Sequence, residues 1–139
     1  MTERLNALAE INDAKTYLEI GVASGVTFRA VNVPFKVAVD PEFGFNANER
    51  ATESEIYHEV TSDIFFSQLA SNYQLFDLIY LDGLHTFEQT FRDFCASLRH
   101  SHPGTIWLLD DTHPTSLLAA HPDQMFALRL REKTRVIRD

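Results

Sequence analysis

The stretch FDLIYLDGLHTFEQ, residues 76–89, decides the fold class of this chain. It leads a mostly apolar segment into Asp82 and Gly83, and an Asp-Gly pair between apolar residues is a common signal for a β-hairpin. A hairpin, however, needs a second strand directly after the turn, whereas Thr86 and Gln89 have the spacing of a helix capping box. The stretch therefore predicts a strand that ends near Asp82 and is followed by a helix.

The predicted helix carries apolar side chains at helical spacing along residues 86–98. This stripe predicts the face that packs on the protein core, and the same burial is expected for Trp107. Cys95 is the single cysteine, so it has no partner for an internal disulfide, and its place in the stripe predicts a buried packing role. The stripe consists of Phe87, Phe91, Phe94, Cys95 and Leu98.

Strands and helices alternate along the whole chain. Short runs rich in Val, Ile, Tyr and Phe predict strands at residues 16–20, 35–39, 56–60, 76–81 and 105–110, and a sixth strand is expected at 134–138. Helical patterns predict helices at 3–11, between Gly25 and Pro34, at 62–71 and at 122–132. The alternation predicts an α/β fold in which a doubly wound, mostly parallel sheet has helices on both faces.

Length and composition restrict the class of protein. A chain of 139 residues predicts one domain over residues 1–139. The net charge of -8 predicts that nucleic acid is not a partner, because most of the surface would repel a phosphate backbone. No apolar run approaches the roughly 20 residues of a membrane helix, and the first residues lack the apolar core of a signal peptide. We therefore expect no membrane association and a cytoplasmic location.

Every predicted strand ends at or beside a carboxylate. In an open parallel sheet, ligands bind beyond the carboxyl ends of the strands, where the loops form a crevice. Turn and helix-cap preferences explain one or two acidic residues, but a carboxylate at all five ends favours a site for hydroxyl groups, positive charge or a divalent cation. The strand-end residues are Glu19, Asp40, Ser62 with Asp63, Asp82, and Asp110 with Asp111.

The loop after the first strand indicates which class of ligand binds at this edge of the sheet. Its sequence reads Glu19-x-Gly21-x-Ala23-x-Gly25, and the glycines allow a tight turn and a close approach to a ligand. Ala23 replaces the middle glycine of the dinucleotide fingerprint, which disfavours a nicotinamide-dependent oxidoreductase. Asp40 stands 21 positions after Glu19 at the end of the second strand, where an acidic side chain can accept both hydroxyls of a ribose. The loop predicts a nucleoside ligand.

Together these segments resemble the class I S-adenosylmethionine-dependent methyltransferases, and within them the methyltransferase-24-like group. The resemblance covers residues 16–114 and is carried by YLEIGVASGVTF, VAVDP, VTSDIFF, FDLIYLDGLHTFEQTFRDF and PGTIWLLDDTHP. It implies a Rossmann-like sheet, S-adenosylmethionine bound across the first loop, and methyl transfer to a small-molecule or sugar-type acceptor, with oxygen as the expected acceptor atom.

The resemblance also implies roles for individual residues. Glu19, Gly21, Ala23 and Gly25 would shape the pocket for the methionine part of the cofactor, and Ala23 is a mild departure that crowds the loop. The remaining cofactor contacts implied are Asp40 to the ribose, Ser62 and Asp63 to the adenine, and Asp82 in the loop that faces the transferred methyl group.

Two devices for activating an acceptor hydroxyl remain open. His85 is a general base in the first, because the ordinary pKa of histidine, near ~6.5, suits proton transfer at neutral pH, and His113 is the reserve candidate. Mg²⁺ held by Asp82, Asp110 and Asp111 is the second, since a hard cation lowers the pKa of a hydroxyl bound to it.

The length of the chain suggests an alternative hypothesis about its function. Folds of this group usually close the sheet with a sixth strand and an antiparallel seventh, and this chain has room for the sixth at most. A C-terminally truncated domain is one interpretation, and a homo-oligomer that covers the open sheet edge is the other. The alternative function is thus a non-catalytic or incomplete Rossmann-like module for nucleoside binding or oligomerisation.

Overall fold

A computed structural model describes residues 1–110 of the chain. Asp111, His113, the predicted helix at 122–132 and the predicted sixth strand lie outside the described residues. All five strands that the sequence predicts within residues 1–110 are present. They are β1 (Thr16–Ile20), β2 (Phe35–Asp40), β3 (Glu55–Glu59), β4 (Phe76–Leu81) and β5 (Ser101–Leu109).

The helices occupy the predicted intervals between the strands. A 3₁₀ turn at Ala47–Glu49 interrupts the loop after β2, and none of the described helices is long and apolar enough to cross a membrane. The helices are α1 (Thr2–Ile11), α2 (Val26–Ala30), α3 (Ser62–Ile64, continued by a π turn at Phe65–Leu69 and a 3₁₀ turn at Ala70–Asn72) and α4 (Phe87–Ser97, extended by a 3₁₀ turn at Leu98–His100).

The strands form one sheet in the order β3-β2-β1-β4-β5, and every neighbouring pair is parallel. The chain moves outward from β1 to β3 and then returns to the other side of β1, so the strand order reverses between β1 and β4. This reversal opens a crevice at the carboxyl ends of those two strands. The predicted α/β, doubly wound, parallel fold is confirmed.

Helices cover both faces of the sheet. α1 and α2 pack on one face, where Leu5 and Phe28 are completely buried. The helical segment that begins with α3 packs on the other face together with α4, where Phe65 is completely buried and Phe94 is half-buried. Apolar burial on both faces fixes the strands in register and holds their carboxyl ends together at one edge.

α4 turns a different face to the sheet from the one that its apolar stripe predicted. Phe87 and Phe91 are 79% and 56% exposed, and their rings stack on each other with planes 6° apart. The buried positions of the helix are Asp93 and Ser97. Within the stripe, Phe94 packs inward, with its ring 5.7 Å from that of the half-buried Trp107.

Hydrogen bonds explain why polar residues occupy the buried face of α4. The Ser97 hydroxyl accepts a bond from Trp107 Nε1 at 3.0 Å, and Asp93 accepts a bond from the Gln89 amide at 2.9 Å. Buried polar groups that are fully paired cost little, so the helix can bury them and leave apolar side chains outside. The burial predicted for four stripe residues is therefore wrong; these residues, all exposed, are Phe87, Phe91, Cys95 and Leu98.

Candidate functional site

A cavity of about 700 Å³ lies at the carboxyl ends of β1, β2 and β4, at the point where the strand order reverses. The loop after β1, the start of α3 and the loop between β4 and α4 complete its walls. Gly25 and Asp110 are not among the lining residues. The predicted site residues that line the cavity are Glu19, Gly21, Ala23, Asp40, Ser62, Asp63, Asp82 and His85.

The loop after β1 turns through two glycines with positive φ. Gly21 has φ 84°, and a Cβ atom there would lie 2.1 Å from the carbonyl oxygen of Asp82. Gly25 has φ 73°, and a Cβ atom there would lie 2.8 Å from the Phe45 ring. Ala23 between them has φ 48°, in the left-handed region that favours glycine. The glycine spacing thus reflects a backbone conformation that the other amino acids adopt at a cost.

Asp40 holds this loop in shape. Its Oδ2 accepts hydrogen bonds from the backbone N–H groups of Val22 at 2.7 Å and Ala23 at 2.8 Å, and its Oδ1 accepts one from Glu42 N at 2.8 Å. The side chain is nearly buried at the cavity wall. Because each carboxylate oxygen can accept more than one hydrogen bond, Asp40 keeps acceptor capacity for a ligand.

Glu19 lies at the base of the cavity and is 1% exposed. Burial raises the pKa of its carboxyl group to about 8, and a hydrogen bond from the Tyr17 hydroxyl at 2.5 Å partly offsets that rise. The negative charges of Asp82 and Asp40 raise the pKa further, while Lys36 lowers it. At neutral pH the group is mostly protonated, which limits charge repulsion at the crowded strand ends.

Asp82 and Asp110 meet at the hydroxyl of Tyr80. The phenol lies 2.9 Å from Asp82 Oδ2 and 3.1 Å from Asp110 Oδ2. Burial, together with the two carboxylates, raises the pKa of Tyr80 well above its ordinary value. The phenol therefore stays protonated and acts as a hydrogen-bond donor to the carboxylates. Two members of the predicted metal set are therefore neighbours, and the third, Asp111, lies outside the described residues.

His85 stands at the mouth of the cavity with a partly exposed side chain. Its Nδ1 lies 4.0 Å from Asp82 Oδ1, which is an electrostatic contact rather than a hydrogen bond. The loop between β4 and α4 thus brings the two predicted catalytic residues, Asp82 and His85, to the same wall. This wall also carries Leu84, which is 62% exposed.

Two polar residues of α4 that the sequence pattern did not assign to the site lie beside Ser62 and Asp63. Gln89 Nε2 lies 3.2 Å from Ser62 Oγ and 3.5 Å from Asp63 Oδ1, and it donates to Asp93 Oδ1 at 2.9 Å. Asp93 is 3% exposed, and burial raises the pKa of its carboxyl group, although hydrogen bonds from Ser62 and Gln89 oppose that rise. This cluster joins α3 to α4 at one end of the cavity.

The capping box predicted for α4 is half correct. The Thr86 side chain accepts a hydrogen bond from Gln89 N at 3.3 Å, as expected for a helix cap. In a full capping box the Gln89 side chain would also accept a hydrogen bond from Thr86 N. Here the Gln89 amide instead donates to Asp93 and to Ser62 of α3. The sequence signal that could have located this pair is the spacing of Gln89 and Asp93, which places them on one face of the helix.

Comparisons with known proteins agree with this geometry. Residues 18–112 match the sequence model of a family described as "Methyltransferase domain". Among solved structures, the chain is similar to an O-methyltransferase from Bacillus cereus in complex with SAH, with 22% identity and a TM-score of 0.68, covering 94% of this chain and 66% of that chain. A comparison with curated protein sequences finds no match.

A second solved O-methyltransferase structure is similar to the chain to about the same extent. The chain is similar to the O-methyltransferase TomG from Streptomyces achromogenes, which is involved in tomaymycin synthesis and was solved in complex with SAM. The identity is 21% and the TM-score 0.62, covering 95% of this chain and 66% of that chain. The chain therefore spans slightly less than two thirds of the length of either protein.

The fold and the family match define the class of protein. A parallel sheet with a cavity at its strand reversal is the architecture of nucleoside-binding α/β domains. The matched segment includes the loop after β1, the end of β2 and the loop after β4. The chain belongs to the methyltransferase domain family, as its resemblance to the methyltransferase-24-like group implied.

Proposed function

We propose that this chain binds S-adenosylmethionine and transfers its methyl group to an oxygen atom of a small-molecule acceptor. The observation that carries the proposal is the contact between the loop after β1 and the end of β4. There, Gly21 packs against the Asp82 backbone, and Asp40 accepts two hydrogen bonds from the backbone of the same loop at the cavity wall. Family membership and the likeness to O-methyltransferase structures support the same function.

The residues present suit this cofactor. A cavity of about 700 Å³ is within the usual range for nucleotide-sized ligands. Asp40 retains acceptor capacity for ribose hydroxyls, and the acidic wall formed with Asp82 attracts a positively charged sulfonium group. When bound, S-adenosylmethionine supplies an electrophilic methyl group. Glu19, kept mostly neutral by burial, adds polarity to the cavity base without a further full negative charge.

The protein's part in the transfer is to align the acceptor and to remove its proton. His85 lies beside Asp82 at the mouth of the cavity, where an imidazole can accept a proton from an acceptor hydroxyl. Asp82 Oδ1 lies 4.0 Å from His85 Nδ1, on the same wall of the cavity. The exposed apolar side chain of Leu84 beside it suits an acceptor with an apolar part.

We include Mg²⁺ in the proposal as a second aid to the same step. Asp82, Asp110 and Asp111 would hold it, and carboxylate oxygens are the ligands that Mg²⁺ prefers. A bound cation would lower the pKa of the acceptor hydroxyl. We expect excess Mg²⁺ to raise the melting temperature of the wild type, and Asp110→Asn to abolish that rise. An identical rise in the wild type and the variant, or no rise in either, would remove the metal from the proposal.

Binding of the cofactor is tested by thermal unfolding with S-adenosylhomocysteine, the product of methyl transfer. We expect a concentration-dependent rise in the melting temperature that Asp40→Asn diminishes strongly. Glu42→Gln is the matched control, because it removes an exposed carboxylate two positions away that does not line the cavity. If the rise is the same in both variants, Asp40 does not hold the ligand. Binding without methyl transfer to any acceptor would favour the non-catalytic alternative.

A further inference from the structure

The loop after β1, residues 21–25, has an unfavourable backbone shape. Three of its residues have positive φ, namely Gly21, Ala23 and Gly25. Ala23 carries the largest cost, because its Cβ atom disfavours a φ of 48°. A loop of this shape persists only where the surrounding groups hold it. The groups that hold it therefore control one wall of the cavity.

Hydrogen bonds from outside the loop hold its backbone on two sides. On one side, the Asp40 carboxylate accepts bonds from two of its N–H groups. On the other side, Gly44 N donates to the Ala23 carbonyl oxygen at 2.9 Å, and Arg29 Nη1 donates to the Ser24 carbonyl oxygen at 3.0 Å. Ser24 lines the cavity, so the bond from Arg29 fixes a part of the loop that faces a ligand.

The Phe45 ring supports the Arg29 guanidinium. The guanidinium carbon Cζ lies 5.4 Å from the ring centroid, which is within the range of a cation–π interaction. Both groups also pack against Gly25, where a Cβ atom would lie 2.5 Å from Arg29 Nη1 and 2.8 Å from Phe45 Cε1. Neither Arg29 nor Phe45 lines the cavity, so their effect on a ligand passes through the loop.

We propose that Arg29 is a positioning residue for the ligand of this cavity: its guanidinium contacts both the Phe45 ring and the Ser24 carbonyl group, and so keeps the loop in its binding conformation. Without the bond to Ser24, the strained loop can relax into other conformations, and only the remaining fraction of molecules binds. The apparent affinity falls in proportion to that fraction. The inference rests on the proposed function, because S-adenosylhomocysteine is the probe ligand.

Arg50 offers a matched control. Its Cζ lies 5.5 Å from the centroid of the same Phe45 ring, so it places the same charge against the same aromatic group. Within residues 1–110, its side chain makes no hydrogen bond to the loop after β1. Replacing either arginine by methionine removes one positive charge and leaves an unbranched apolar side chain. The bond to Ser24 is what distinguishes the two variants.

Calorimetric titration of the whole chain with S-adenosylhomocysteine tests the inference. We expect Arg29→Met to weaken binding at least about threefold and Arg50→Met to leave it unchanged. Phe45→Leu removes the ring that supports Arg29, so it should weaken binding too. Because both substitutions act through one contact, the double variant should bind no more weakly than the weaker of the two single variants. Thermal unfolding without ligand shows that each variant is folded at the temperature of the titration.

The outcomes separate the inference from the proposed function. If the wild type does not bind the ligand, the proposed function fails and the inference fails with it. If the wild type binds but Arg29→Met has the same affinity and only a lower melting temperature, Arg29 serves stability alone and the inference is overturned. Equal weakening in Arg29→Met and Arg50→Met, or additive losses in the double variant, would also contradict it. Weaker binding by Arg29→Met and Phe45→Leu, with Arg50→Met like the wild type, supports it.

Discussion

A Cβ atom on Gly21 would lie 2.1 Å from the carbonyl oxygen of Asp82, so the first loop of the cavity touches the end of β4 through bare backbone. The contact joins the two strands between which the strand order reverses. It also brings the loop that follows β1 against the residue that begins the loop carrying His85. The shape of the cavity therefore depends on this glycine.

Gly21→Ala should destabilise the fold strongly. The added Cβ atom meets backbone, which cannot move aside as a side chain can, and φ 84° is unfavourable for alanine. We expect a loss of at least about 2 kcal/mol in the free energy of unfolding, measured by urea denaturation. Gly44→Ala is the control, because the nearest atom to its Cβ lies 3.4 Å away. Equal losses in the two variants would contradict the account.

Ala23→Gly should stabilise the protein. Ala23 has φ 48°, and glycine adopts this conformation without the steric cost that a Cβ atom adds. Relief of this steric cost exceeds the added chain entropy of glycine in the unfolded state, so we expect a net gain of up to about 1 kcal/mol and a higher melting temperature. Ala30→Gly, at an exposed position in α2, should have the opposite sign because glycine weakens a helix. A loss of stability in Ala23→Gly would show that the loop does not have this backbone conformation.

The stability of the wild type should contain a pH-dependent contribution from Glu19. Its pKa is raised from 4.5 to about 8 by burial, so the folded state binds more protons than the unfolded state between these values. The contribution is fully present below pH ~4.5 and is lost as the pH rises towards ~8, with a slope of at most about 1.4 kcal/mol per pH unit.

Glu19→Gln removes this contribution. The variant should gain stability relative to the wild type as the pH rises from about 5 to about 8, measured by denaturation at several pH values. The amide oxygen of the substituted side chain can still accept the hydrogen bond from the Tyr17 hydroxyl, so the packing is retained. A constant difference between the two proteins over this range would mean that Glu19 is ionised throughout.

The orientation of α4 can be tested with two phenylalanines that the sequence pattern treats alike. Phe87 is 79% exposed, so Phe87→Ala should change the free energy of unfolding by no more than about 1 kcal/mol. Phe94 packs on the Trp107 ring, so Phe94→Ala should cost about 2 kcal/mol or more. Denaturant titrations of both variants decide between the faces, and a larger cost at Phe87 would favour the face that the sequence predicted.

The sequence was sufficient for the fold and for the position of the site. Strand and helix alternation predicts a parallel sheet, and the carboxyl ends of parallel strands meet at one edge, so the sequence alone places Glu19, Asp40 and Asp82 together. The particular side chains that pair across that edge depend on distances, and so the sharing of the Tyr80 hydroxyl by Asp82 and Asp110 was not predictable.

The face of α4 shows why the rest could not be predicted. Apolar periodicity identifies a stripe, but a buried face can also be polar when its hydrogen bonds are satisfied, as those of Asp93 and Ser97 are. The roles of the site residues, the acceptor, the cytoplasmic location and the homo-oligomer through the open sheet edge stay predictions.

The central claim, that the cavity between β1 and β4 binds S-adenosylmethionine, is tested most directly by calorimetric titration of the chain with S-adenosylhomocysteine. We predict saturable binding to the wild type that weakens by about tenfold or more in Asp40→Asn and is unchanged in Glu42→Gln. No binding at millimolar ligand, or equal binding by wild type and Asp40→Asn, would contradict the account.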